Sequence, residues 1–170
     1  MRPLEGIKVL DLSRVLAGPF AGRILHDLGA EVVKVEPPEG DVTRNWGKVR
    51  AGLAGYYTQQ NAGKRNICID LRAEGGAELI RRLAAEADVL IENFRPGIMK
   101  KFGLAYEDLR SMNEKLVMLS ISGFGQEGPE SGRAAYAPIL HAESGWLQRS
   151  AEWNQQPVTD LNLSAADTNA

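Results

Sequence analysis

The chain has 170 residues, 44% of them hydrophobic and 25% charged, with a formal net charge of −2. That length suffices for one ordinary domain with a real core. Interspersed acids and bases leave no basic patch, so no nucleic-acid partner is expected, and no apolar run approaches the ~20 residues needed to cross a membrane.

The opening stretch, MRPLEGIKVLDLSR, lacks an apolar segment of secretory length and reads as the approach to a first strand, which places the protein in the cytoplasm. IKVLDLS (7–13) is that strand. AGPFAGRILHDLG (17–29) is a helix, with Phe20, Ile24, Leu25 and Leu28 at helical spacing and Gly29 as its stop. EVVKVE (31–36) is a strand closed by Pro37 and Pro38. Residues 39–62 are Gly-rich and polar, carry Trp46, Tyr56 and Tyr57, and read as a long excursion. NICIDL (66–71) is a strand whose Cys68, the single cysteine, reads as a buried strand residue rather than a nucleophile and permits no internal disulfide. AEGGAELIRRLAAEA (73–87) is a helix with Leu79, Ile80, Leu83 and Ala84 on one face. DVLIENF (88–94) is a strand, YEDLRSMN (106–113) a short helix and KLVMLSISGF (115–124) the last clear strand. Beyond Phe124 the alternation fades: residues 125–160 are loop-rich, with one helical patch near 136–148. Strand–helix repetition of this kind predicts an α/β, Rossmann-like domain with a largely parallel central sheet over residues 1–124.

In such sheets ligands bind beyond the carboxyl ends of the strands. The predicted loops there carry glycines, prolines and cations: Arg14, Arg72 and Arg95, with Arg44 and Lys101 close by. Each cation alone reads as an ordinary surface charge, but three on one edge suit a phosphate-bearing ligand. GFGQEG (123–128) matches G-x-G-x-x-G, yet Pro129 and ESGRAAY follow it instead of a helix, so it is not read as a dinucleotide fingerprint. His26 and His141 are too few and too isolated for a metal cluster, and no metal site is expected. Near the end, Ser164-Ala-Ala-Asp167 fits a helix capping box, in which Asp167 only satisfies backbone N–H groups.

Taken in order, GIKVLDLSRVLAGPFAGRILHDLGAEVVKVEPPEGD, NAGKRNICIDL, ADVLIENFRPG and SISGFGQEGP resemble the family III CoA-transferases (the CaiB/BaiF family), which include formyl-CoA transferase and carnitine CoA-transferase and share their fold with α-methylacyl-CoA racemases. The resemblance spans essentially the whole chain. It implies that coenzyme A or acyl-CoA is bound as substrate, with no tightly held cofactor. The contacting positions it implies are Leu16 and Ala17; Ile69, Asp70, Leu71 and Arg72; Asn93, Phe94 and Arg95; Lys101; and Tyr136. Formyl-CoA transferase has glutamine, arginine and lysine where this chain has Leu16, Pro37 and Ala134, which points away from formyl-CoA and oxalate as the substrate pair. The resemblance makes Asp167, in AADTNA, the catalytic nucleophile of CoA transfer between an acyl-CoA and a carboxylic acid acceptor, through an aspartyl anhydride and an aspartyl-CoA thioester. The competing readings are an acyl-CoA racemase, disfavoured because Tyr136 stands where racemases carry their histidine base, and a non-catalytic CoA-binding fragment. Residues 125–170 are then a segment leading to a truncated active-site helix. The chain is expected to be the N-terminal part of a two-domain enzyme, inactive alone and an interlocked homodimer at full length, with the second domain absent.

Overall fold

A computed structural model describes residues 1–160 and 163–169. Strand β1 (Lys8–Asp11) leads into helix α1 (Ala17–Asp27) and back to β2 (Glu31–Glu36). A 3₁₀ turn (Val42–Asn45), the short hairpin of β3 (Val49–Arg50) and β4 (Leu53–Ala54), and α2 (Gly55–Asn61) precede β5 (Arg65–Cys68). Helix α3 (Gly76–Ala85), β6 (Val89–Glu92), α4 (Ile98–Lys101), α5 (Tyr106–Arg110) and β7 (Val117–Ser120) continue the alternation. Three helices follow: α6 (Ala137–Glu143), α7 (Trp146–Asn154) and α8 (Ala165–Thr168). The main sheet has the order β5–β2–β1–β6–β7 with every pairing parallel, the α/β architecture read from the sequence.

The chain winds from β1 outward to β2 and β5, then crosses back to β6 on the other side of β1. The connections therefore leave the β1–β6 boundary in opposite directions and open a crevice at its carboxyl end. Asn93 spans that boundary. Its side-chain oxygen accepts from the Arg14 N–H at 2.8 Å, and its amide donates to the Arg14 carbonyl at 2.7 Å.

The sheet is covered on both faces, and the side-chain period of two sorts its residues between them. Leu10, Leu12, Val35 and Leu90 join Ile80, Ala84, Met99, Leu104 and Leu109 from α3, α4, α5 and adjoining loops. Val9, Val32 and Ile91 face the other way, with Leu25 of α1 packed against them. On that second face the rows end in charge: Asp11, Lys34 and Glu36 are all buried. Gly22 of α1 lies over them so closely that a Cβ there would sit 2.8 Å from Asp11 Oδ2.

Buried charges must be paired and hydrogen-bonded to persist, and these are. Lys64 Nζ meets Asp11 Oδ2 at 2.8 Å and donates to the Pro19 carbonyl at 2.7 Å. Lys34 Nζ meets Asp41 Oδ2 at 3.2 Å and donates to the Ser13 carbonyl at 2.7 Å. Asp41 Oδ2 also accepts the Val15 N–H at 3.1 Å, while Oδ1 takes the Thr43 N–H and hydroxyl. The network thus pins the β1–α1 turn, where Val15 adopts φ +70°. A β-branched residue in that region is strained and holds it only when its surroundings impose it.

The structure corrects five sequence-based expectations. Cys68 is exposed, because β5 is an edge strand with Ile67, not Cys68, on its packed face. Leu79 and Leu83 are 46% and 37% exposed: α3 buries the narrower stripe Gly76, Ile80 and Ala84 at strict four-residue spacing. Residues 39–62 contain a hairpin and α2 rather than only an excursion, and the patch near 136–148 is two helices separated at Gly145. Arg44 is no free cation, since its guanidinium is held by Glu36.

Replacing Lys34 with Met leaves Asp41 buried without its cation. This substitution is expected to cost about 3–5 kcal/mol in urea denaturation, against about 0.5–1 kcal/mol for Arg23→Ala, which breaks the exposed Arg23–Asp27 pair and an exposed hydrogen bond to the Gln59 carbonyl.

Candidate active site

Two cavities adjoin at the carboxyl end of the sheet. The first, of about 350 Å³, lies over the ends of β2 and β5 and is lined by Pro37, Glu39, Ile69, Asp70, Leu71, Arg72 and Ile98, among others. The second, of about 220 Å³, lies beside β6 and β7 and is lined by Leu16, Asn93, Ser122, Arg133, Tyr136 and Asp167, among others. Arg14, Phe94 and Arg95 border both, so the pair forms one trough across the β1–β6 boundary. Ten of the twelve site residues expected from the sequence line this trough; Ala17 and Lys101 line neither cavity.

The cations along the trough differ in availability. Arg72 is engaged by Asp70 at 3.0 Å and Glu39 at 3.2 Å, with its side chain 65% exposed. Arg133 is held by Glu130 and Glu143 and stacks over Phe124. Arg14 and Arg95 have no acidic partner among the described residues, and the Arg14 guanidinium lies 5.5 Å from the centre of the Phe94 ring. Helix α1 begins without a side-chain cap at Leu16, which leaves the positive end of its dipole directed at the second cavity.

One wall of the first cavity is the loop after β2, and Glu36 fastens it. Arg44 grips Glu36 with two bonds of 2.6 and 2.8 Å, Tyr57 donates to it at 2.5 Å, the Asp41 N–H donates at 2.8 Å and Asn66 also donates to it. Burial alone would raise the Glu36 pKa; the Arg44, Tyr57 and Asp41 donors outweigh it and hold it down at about 2.

Asp167 sits on α8, which packs against α6 and α1. Burial pushes its pKa up, and its own backbone N–H offsets part of that rise. Burial raises the phenol pKa of Tyr56, and the charges of Asp167 and Asp41 add to the rise. Ser164 makes no side-chain cap on α8, so half of the capping box suggested by S-A-A-D is missing. Tyr136 stands 70% exposed at the start of α6. GFGQEG is loop, with no helix until Ala137. Of the groups around the site, sequence reading missed the Arg14–Asn93 clasp and the proximity of Tyr56 to the Asp167 charge. Both join residues far apart in the chain, and no local spacing signals them.

The trough therefore presents unpaired guanidinium groups, an uncapped helix start and a half-buried carboxylate, which suits a long anionic ligand bearing a reactive group at one end. Residues 4–169 match the sequence profile of CoA-transferase family III, and the chain belongs to that family. It is 48% identical over 164 residues to succinate–glutarate CoA-transferase of Agrobacterium fabrum (strain C58 / ATCC 33970), an alignment covering 92% of this chain and 41% of that protein. It is 45% identical over 160 residues to human succinyl-CoA:glutarate CoA-transferase, covering 93% of this chain and 36% of that protein. The crystal structure of a CaiB/BaiF family protein from Brucella suis superposes with a TM-score of 0.90 at 46% identity, covering 98% of this chain and 45% of that one. The chain thus spans about two fifths of the length of these relatives. No helix among the described residues is long and apolar enough to cross a membrane.

The Glu36 clasp carries a pH signature. Its folded pKa lies below the ordinary 4.5, so its contribution is complete above about pH 4.5 and is lost as pH falls through about 2. Glu36→Gln is expected to lower stability at pH 7 by up to roughly 3 kcal/mol and to flatten the acid slope between pH 5 and 2 in urea titrations.

Proposed function

We propose that the full-length protein transfers coenzyme A between carboxylic acids, with Asp167 as the nucleophile. The observation that carries this reading is that Asp167 shares one cavity with Leu16, Asn93, Arg95 and Tyr136, at the end of a cation-lined trough. The diphosphate and 3′-phosphate of CoA would lie toward Ile69–Arg72, with the pantetheine arm passing Arg14, Phe94 and Arg95 and the thioester reaching Asp167. CoA is a substrate here, and the chemistry asks for no resident cofactor. The names of the relatives, with glutarate and succinate in them, favour dicarboxylic acids as donor and acceptor. Full-length protein is proposed to act as an interlocked homodimer in the cytoplasm, with residues 1–124 as the CoA-binding domain, residues 125–170 leading into the active-site helix, and a second domain completing the site; residues 1–170 alone are proposed to be inactive.

The chemistry follows from a carboxylate facing a thioester. Asp167 attacks the acyl carbonyl and expels the CoA thiolate, giving a mixed anhydride. The thiolate then attacks the Asp167 carbonyl of that anhydride, releasing the donor acid and leaving an aspartyl-CoA thioester. The acceptor carboxylate attacks this thioester, forming a second anhydride and freeing the thiolate again. Attack of the thiolate on the acceptor's acyl carbonyl gives the new acyl-CoA and restores Asp167. Each hard exchange becomes two easier ones. Partial burial supports the role, because a less solvated, more basic carboxylate is a better nucleophile. The start of α1 and the free arginines oppose the charge that accumulates on oxygen and sulfur.

Full-length Asp167→Asn is expected to remain folded and bind CoA while losing transfer by about 10³-fold or more. Hydroxylamine present during turnover should label Asp167 as a hydroxamate in the parent and not in the variant. Near-normal transfer by Asp167→Asn would end the assignment. Arg14→Ala and Arg95→Ala are expected to weaken CoA binding by about 1.5–3 kcal/mol each. Arg72→Ala should cost less, because Arg72 is already paired with two carboxylates and largely exposed; calorimetric titration with CoA ranks the three.

A further inference from the structure

His141 lies on α6, is 1% exposed, and does not line the cavity that contains Asp167. Its ring meets Trp146 edge-on, with centres 5.3 Å apart and planes at 72°. Nε2 lies 3.3 Å from the backbone nitrogen of Ala166, in the first turn of α8. A peptide N–H can only donate, so Nε2 must present its lone pair and the ring proton must sit on Nδ1. Nδ1 faces Asp160 Oδ1 at 3.5 Å, and a carboxylate opposite that nitrogen favours the same tautomer.

Helix α8 packs on α6 and α1 but has few other polar ties among the described residues. It runs only from Ala165 to Thr168, and Ser164 provides no side-chain cap. Its other hydrogen bonds among the described residues are internal, such as Asn169 Nδ2 to the Ala165 carbonyl at 2.7 Å. Among the described residues, the bond to His141 is the one that joins α8 to another helix. Asp167 is the next residue in the chain after Ala166. A four-residue helix is not stable by its own propensity, so the direction in which it presents a side chain depends on such outside contacts.

We propose that His141 is a positioning residue: its Nε2, by accepting the Ala166 N–H, fixes the first turn of α8 and thereby aims the Asp167 carboxylate into the trough. The inference rests on the catalytic reading of Asp167. His141 itself exchanges no proton with substrate, since it is buried outside the cavity lining. It supplies a fixed acceptor, with Asp160 holding the tautomer and Trp146 holding the ring. A misaimed nucleophile lowers the rate of the chemical step and leaves CoA recognition along the arginine-lined trough intact.

The test uses full-length enzyme and three substitutions. His141→Phe keeps a ring against Trp146 but offers no acceptor, and His141→Leu does the same with an aliphatic side chain. His141→Gln restores an acceptor through its side-chain carbonyl. The Phe and Leu variants are expected to lose kcat by about 10²-fold with KM for acyl-CoA within about threefold of wild type. The Gln variant should recover kcat to within about tenfold of wild type. Hydroxamate yield at Asp167 should follow the same order. Wild-type kcat in whichever of the Phe and Leu variants is folded would overturn the inference, as would a folded Gln variant no better than they are. Asp167→Asn, assayed alongside, separates the two claims. If that variant is inactive and Phe is normal, only the role of His141 falls; if Asp167→Asn transfers CoA, the catalytic reading falls with it.

Discussion

The site depends on the ion pair between Lys34 and Asp41, buried where the first two strands end. Lys34 reaches from β2 to the Ser13 carbonyl, and Asp41 takes the N–H of Val15. Together they hold the β1–α1 turn in a conformation that Val15 would not adopt alone. That turn sets where Arg14 leaves the sheet and where α1 begins. Asn93 then ties the same turn to the loop after β6. Two loops at the strand-order reversal are thereby locked together, and the trough runs across them. Paired charges of this kind add little net stability compared with a well-packed apolar core, but they are costly to break singly. The arrangement fits a role in fixing the geometry of a binding edge rather than in strengthening the fold.

Much of the fold is legible in the chain because its signal is local. EVVKVE reads as a strand over the residues that form β2, since β-branched residues are followed at once by two prolines. The parallel sheet follows from the strand–helix alternation. The failures arise where a neighbour decides. Cys68 looks like core from its apolar setting but lies at the edge of the sheet, with no strand beyond it. Leu79 and Leu83 have helical spacing, yet the sheet beneath α3 receives only the stripe through Ile80 and Ala84. Residues 39–62 hide a helix because its buried residues, Tyr57, Gln60 and Asn61, are polar and carry no hydrophobic period; Tyr57 and Asn61 are held by hydrogen bonds to Glu36 and Lys64.

The candidate site is legible to a different degree. The cation-bearing loops can be found by placing each strand end, and Arg14, Arg72 and Arg95 do lie along one trough. Their availability cannot be read that way. Arg44 and Arg72 are answered by Glu36, Glu39 and Asp70, contacts that depend on how loops fold back. Asp167 presents the sharpest case. By spacing alone it is half of a capping box. Its cavity and the missing Ser164 cap appear only once α8 is docked against α6 and α1. His141, isolated in the sequence and unfit for a metal cluster, becomes meaningful through a backbone N–H 25 residues away.

In the proposed mechanism one trough delivers the thioester end of CoA to Asp167. The most direct measurement is a crystal structure of the full-length enzyme with CoA bound. The expected result places the CoA sulfur within about 4 Å of an Asp167 carboxylate oxygen, near-attack separation for this chemistry, with the phosphates beside Arg14, Arg95 and the Ile69–Arg72 loop. A sulfur on the order of 10 Å or more from Asp167, or a CoA bound away from the carboxyl end of the sheet, would contradict it.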